Sequence, residues 1–200
     1  MYDGLVLAVG RSDEVHRRLE ALGLGPERLT VVDAAGGTVT PGLIDPHTHL
    51  LFAGTRESEW QLRREGQGYL EILAGGGGIL ATVARTRAAS PEALHRHGRR
   101  WLEEMLHRGV TTVEAKSGYG LDLETELRLL EVAGRLGSEG PVEVAPTYLG
   151  AHAVPPEYRD RPDAADAYVL SVVEEQLPAV AAQGTALFCD VFCEPGVFTV

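Results

Sequence analysis

Four apolar runs, at residues 43–44, 110–115, 142–149 and 186–192, are separated by stretches whose apolar residues recur at helical spacing. The clearest helix opens on Ser90, Pro91 and Glu92, an N-cap followed by a proline at the first helical position and an acid in the first turn. Leu94, Trp101, Leu102 and Met105 supply its apolar face, and Gly109 follows as a stop. Asp122 caps a second helix reaching Leu136, with Gly137 after it, and Asp163 begins a third that Pro178 breaks or kinks. Alternating helices and near-continuous apolar strands predict a parallel sheet with the helices packed outside it. Four such units make half of an eight-stranded (β/α)8 barrel of the TIM type. Ahead of them, residues 4–9 alternate toward a short strand and residues 12–22 have helical periodicity. Residues 30–33 and 38–40 flank an Ala-Gly-Gly turn typical of a hairpin. The expected division is a small β-rich unit over residues 1–39 and the barrel units over 40–200.

Residues able to carry chemistry collect at one place in that arrangement. His47, His49, Lys116, Tyr119, His152 and Glu194 fall at or just after the carboxyl ends of the four predicted strands, which in a barrel is the catalytic face. A doubly wound open sheet is the alternative, but it calls for a glycine-rich turn after its first strand, and no G-x-G-x-x-G occurs there. A strand's period of two puts His47 and His49 on one face, so that two imidazoles converge on one point. Neutral imidazole suits zinc and iron alike, and Asp45 stands beside the pair as an acceptor behind the ligands. Catalytic zinc normally takes three protein ligands and a water, and nothing else in the chain offers a third at comparable spacing. His16, His95, His97 and His107 lie in predicted helices and are read as solvent-facing. Gly75 to Gly78 leads into a helix at Ile79 but lacks the Gly-Lys-Ser/Thr ending of a phosphate-binding loop, so it reads as a flexible loop near the site. Lys116 and Glu194 are left without a role.

The stretch PGLIDPHTHL resembles the first barrel strand of the amidohydrolase superfamily. Further along, HLLFAGTRESEW, GGGGILATVARTRAAS, GVTTVEAKSGYGLDLETEL, TYLGAHAVPPEY and DVFCEPGVF together resemble the imidazolonepropionase family, hydrolases of histidine breakdown. The resemblance implies a barrel preceded by a small β-sandwich built from both chain ends, of which residues 1–39 would be part. It also implies that the chain holds only the first half of that barrel and is inactive by itself. His47 and His49 would bind one metal ion, zinc or iron, whose remaining ligands, a His after strand five and an Asp after strand eight, lie outside the chain. The metal's role would be to lower the pKa of a bound water to about 7. Arg56, whose planar fork matches a carboxylate, would hold an acidic substrate. Tyr119 would donate a hydrogen bond to it, and His152 would polarise the scissile carbonyl or hold the oxyanion. Tyr69 is a further candidate of the same kind, which would equally serve as a core aromatic. The implied reaction opens the cyclic amide of 4-imidazolone-5-propanoate to give N-formimidoyl-L-glutamate, with the group that protonates the leaving nitrogen unidentified.

Composition narrows the alternatives. A formal net charge of −11 provides no basic footprint for nucleic acid, and it requires local positive charge for a small anionic substrate. Cys189 and Cys193 match no metal or disulfide framework and sit in an apolar run, so they are expected to be reduced and buried. No stretch approaches the roughly 20 apolar residues of a membrane span, and the start lacks a signal-peptide pattern, which together lead to a cytoplasmic expectation. A homodimer is left open. The rival readings are another amidohydrolase, such as a purine or pyrimidine deaminase or a dihydroorotase, and a catalytically inert fragment or binding module. A neutral base offers Arg56 no carboxylate, which sets the deaminases apart.

Overall fold

The computed structural model describes residues 4–68, 71–72, 75, 77–194 and 197–199. The chain divides into two compact units, Met1–Pro41 and Gly42–Val200. In the first, helix α1 spans Ser12–Ala21 with Asp13 and Glu14 in its opening turn, and a short 3-10 turn follows at Pro26–Arg28. The anticipated turn forms: the Asp33 carboxylate accepts the Ala35 N–H at 2.8 Å, and Ala35 and Gly36 take positive φ of 49° and 81°. Its flanks do not pair, and neither they nor residues 4–9 form an extended strand among the described residues. Val31, Val32 and Val39 are more than 80% exposed, and a hairpin with no apolar surface to pack on is marginal in water. The expected β-sandwich is therefore not seen.

The second unit is built on four parallel strands, β1 (Leu43–Thr48), β2 (Val110–Lys116), β3 (Glu143–Tyr148) and β4 (Phe188–Cys189), hydrogen-bonded in chain order. Sequential parallel pairing with right-handed crossovers puts every connecting helix on the same side, whereas a doubly wound sheet reverses its order partway. The result is a partial sheet curling toward a barrel with helices along one face. Among the described residues the helices of this unit are α2 (Glu57–Arg64), α3 (Ile79–Ala88), α4 (Pro91–His107), α5 (Leu123–Glu139), α6 (Ala164–Ser171) and α7 (Leu177–Gln183).

Local chemistry sets the helix ends. Ser90 Oγ accepts the Ala93 N–H at 3.2 Å at the start of α4, and Asp122 accepts the Thr125 N–H at 2.8 Å at the start of α5. Gly137 does not stop α5, which continues to Glu139. A Cβ there would stand 3.2 Å from the Val144 Cβ, so the glycine serves close packing of helix on strand. The break or kink expected at Pro178 takes the form of a π-turn over Val172–Gln176, which joins α6 to α7 just before it and widens the backbone where the proline cannot donate.

One apolar cluster fills the space between sheet and helices with Leu50, Leu94, Leu102, Val113, Leu129 and Leu136 among its members. A second, around Leu121, Leu130, Tyr148, Tyr168 and Phe198, lies under the loops that leave β2 and β3. Several expectations about single residues change. Trp101 is 43% exposed, its indole N–H donating to His97 Nε2 at 3.0 Å rather than packing in the core. His95 is buried, with Nε2 2.8 Å from Glu139, because Glu139 at the end of α5 reaches across to α4. His97 is half-buried against Phe52. Both cysteines are exposed, because the last apolar run contributes only Phe188–Cys189 to the sheet and β4 has no partner on its outer side among the described residues.

This packing separates two residues that share an apparent apolar stripe. Leu94→Ala, at 1% exposure, should lower unfolding free energy by about 2–5 kcal/mol in urea titration. Trp101→Ala should lower it by less than about 1 kcal/mol, and equal losses at the two positions would contradict the core described.

Candidate functional site

The site is assembled by the loop that leaves β2. Glu126 sits in the first turns of α5 with no solvent exposure, and its carboxylate turns back to that loop. It accepts the N–H of Gly118 at 2.9 Å, of Gly120 at 2.8 Å and of Leu121 at 2.9 Å. The loop can wrap one carboxylate because Gly118 and Leu121 take positive φ of 95° and 56°. At Gly118 a Cβ would also meet the Leu149 carbonyl at 2.8 Å, so glycine is required twice over. Burial pushes the Glu126 carboxyl up in pKa, while hydrogen bonds from Ser117 and the backbone N–H groups pull the other way.

With its N–H groups drawn inward, the loop turns carbonyls toward the site. His49 Nδ1 lies 3.1 Å from the Ser117 carbonyl, and His152 Nδ1 lies 2.8 Å from that of Gly118. A carbonyl only accepts, so Nδ1 carries the hydrogen in both rings and both Nε2 atoms keep their lone pairs. The two imidazoles stack with centroids 4.7 Å apart and planes 7° from parallel, while His47 approaches His49 edge-on at 5.7 Å. Tyr119 closes the group at 5.0 Å from His49 and 5.5 Å from His152. Burial, reinforced by His152 and His47, lowers the pKa of His49 to about 4. His152 is lowered as well, chiefly by burial, and Tyr119 is raised by burial against the pull of Arg56. Rings held neutral with a free Nε2 are in the form that binds a metal ion.

The sheet beneath is charged as well. Lys116 Nζ, its side chain 5% exposed, donates to Glu114 and to Asp190, each at 2.8 Å, and Thr147 donates to Glu114 at 2.6 Å. These bonds tie β2 to β3 and to the end of β4. Burial works against the charges of Glu114 and Lys116, yet their mutual hydrogen bonds prevail, so the carboxyl falls below its usual pKa and the amine rises above its own. The bond from Lys116 likewise depresses Asp190.

The structure thus brings together His47, His49, Tyr119 and His152. Arg56, exposed at the start of α2, stands close enough for its charge to act on the Tyr119 hydroxyl. Tyr69 lies outside the described residues, as does Gly76 of the glycine run. Glu194 is exposed and takes no part in the cluster, and Lys116 is committed to its two carboxylates. Among the described residues no group of three or more His, Cys, Asp or Glu could hold a metal ion. His47 and His49 bring two imidazoles within 5.7 Å of each other by ring centroid. Sequence reading missed Glu126, Glu114 and Asp190. For Glu126 the available signal was an acid on the apolar side of a helix, following a loop with two glycines.

Comparison with known proteins bears on this geometry. A family model described as the amidohydrolase family matches residues 30–80. The imidazolonepropionase of Geobacillus kaustophilus is 54% identical over 98% of this chain and 45% of its own length. That of Alkaliphilus metalliredigens is 57% identical over 85% of the chain and 40% of its length, and that of Myxococcus xanthus 55% over 90% and 41%. The chain spans less than half the length of these relatives.

The charged cluster gives a pH-dependent prediction. Carboxylates with depressed folded pKa stabilise above their unfolded values near 4 and lose that contribution as pH falls through the lower folded values. Lys116→Met should therefore destabilise at pH 7, near the lower end of the roughly 3–5 kcal/mol for breaking a buried pair, since Asp190 is 44% exposed. Below pH of about 4 the gap from wild type should narrow in denaturant titrations. A gap that widens in acid would refute the pairing.

Proposed function

The chain belongs to the imidazolonepropionase family, within the amidohydrolases, and on that premise we propose that its site takes part in hydrolysing the cyclic amide of 4-imidazolone-5-propanoate to N-formimidoyl-L-glutamate. The observation that supports this most is the convergence of His47, His49, Tyr119 and His152 at the carboxyl ends of parallel strands, with Arg56 at the rim. His47 and His49 would hold one zinc or iron ion, which when bound supplies a water acidified to near neutrality. Imidazole suits both metals. The donors that complete its coordination would be other groups.

The protein's own residues bind and orient. Arg56 and Tyr119 hold the propanoate, supplying the local positive and hydrogen-bonding groups that a chain of net charge −11 otherwise lacks. His152, with its hydrogen on Nδ1, presents a lone pair at Nε2. In that form it accepts a hydrogen bond from a ring N–H or from the attacking water. Once it has taken a proton it becomes a donor to the oxyanion. Holding carbonyl and nucleophile together in this frame supplies the proximity term. A small anionic substrate and a cytoplasmic site of action complete the proposal.

Steady-state hydrolysis of the propanoate substrate, set beside an imidazolone lacking the propanoate, tests the reading. Arg56→Lys keeps the charge and loses the fork, so kcat/KM for the acidic substrate should fall about 10-fold or more, with Arg56→Ala lower again. The truncated ligand should be poor for wild type and nearly indifferent to either change. Equal losses for both ligands would remove Arg56 from carboxylate recognition and favour a deaminase-like or structural role.

A further inference from the structure

Glu126 is a buried acid that the proposed chemistry does not use, yet it connects to the site through a short series of bonds. The Gly118 N–H that it holds and the Ser117 carbonyl that holds His49 belong to one peptide unit. A peptide is planar and trans, so fixing the direction of its N–H fixes the opposite direction of its C=O. The next carbonyl, that of Gly118, holds His152 and lies between two N–H groups, those of Gly118 and Gly120, that the same carboxylate binds. Tyr119 lies between two residues whose N–H groups Glu126 binds. Two site imidazoles, with the backbone of Tyr119 between them, therefore connect to one carboxylate.

We propose that Glu126 is a positioning residue, fixing through the Ser117–Gly118 peptide and the Gly118 carbonyl the orientation and the Nδ1–H tautomer of His49 and His152, so that both rings present Nε2 to the site. It acts as a carboxylate behind a ligand histidine does, with a peptide unit interposed. Its importance for catalysis rests on the reading of His49, Tyr119 and His152 as site residues. The geometry stands without it, so the test reads the rings and the loop rather than turnover.

Two measurements on the purified chain decide it. In wild type, nitrogen NMR of the imidazoles, assigned with His49→Gln and His152→Gln, should show both rings as the Nδ1–H tautomer, against the Nε2–H preference of a free imidazole. The amides of Gly118, Gly120 and Leu121 should exchange at least about 100-fold more slowly than in the unfolded chain, although they lie in a loop. Unprotected loop amides, or rings in the other tautomer, would overturn the proposal without any variant. In Glu126→Gln one amide oxygen must serve three donors and the charge is gone. The His49 and His152 signals should then move toward the free-imidazole mixture and the three amides should lose protection, while the other histidines stay unchanged. Glu126→Asp, retaining charge at shorter reach, should restore part of the shift. A folded Glu126→Gln variant with both rings unmoved would mean that the loop holds them by itself.

Discussion

A carboxylate sealed from water must find hydrogen-bond donors inside the protein, and Glu126 finds them in the loop that follows β2. Most of the site follows from that requirement. The N–H groups that satisfy Glu126 must point inward, so the carbonyls between them point toward His49 and His152. Positive φ at Leu121 is the strain that this wrapping imposes, and the buried bonds maintain it. His49 and His152 are thereby held by backbone carbonyls of a loop that the buried bonds to Glu126 fix in place.

Beneath this loop, the strands keep a charged interior where an apolar one would be simpler to build. Lys116, Glu114, Asp190 and Thr147 link three strands by side-chain bonds at the level where the strands end. Such a cluster is weak evidence for stability, because desolvation offsets much of the attraction. Its geometry is specific nonetheless. The lysine's single charge is more than balanced by the two carboxylates, which keeps the histidines from facing an uncompensated cation.

Much of this was legible in the residues. The alternation of apolar runs with capped helices indicated parallel strands under helices, and Ser90 and Asp122 cap as their types require. His47 and His49 were expected on one face by strand periodicity, and their rings do meet edge-on at 5.7 Å, although His49 lies just past the end of β1. Errors arose where a residue's neighbours in space differ from those in sequence. Gly137 looks like a helix stop but is a packing contact with Val144, and the break or kink expected at Pro178 takes the form of a π-turn just before it. Trp101 and Leu94 share a stripe in sequence, and only Leu94 meets the core. The strands expected between residues 4 and 40 lack an apolar surface to lie on. Glu126 escaped notice because its partners are backbone N–H groups, which no residue type announces.

The central proposal is that His47 and His49, whose ring centroids lie 5.7 Å apart at the end of β1, would bind a metal ion together. X-ray absorption at the zinc edge, on protein loaded with zinc, addresses it directly. The account predicts at least two imidazole nitrogens at about 2.0–2.1 Å, with imidazole scattering reduced in His49→Ala. Sulfur neighbours at about 2.3 Å, from the exposed Cys189 and Cys193, with the imidazole contribution unchanged in His49→Ala, would contradict it.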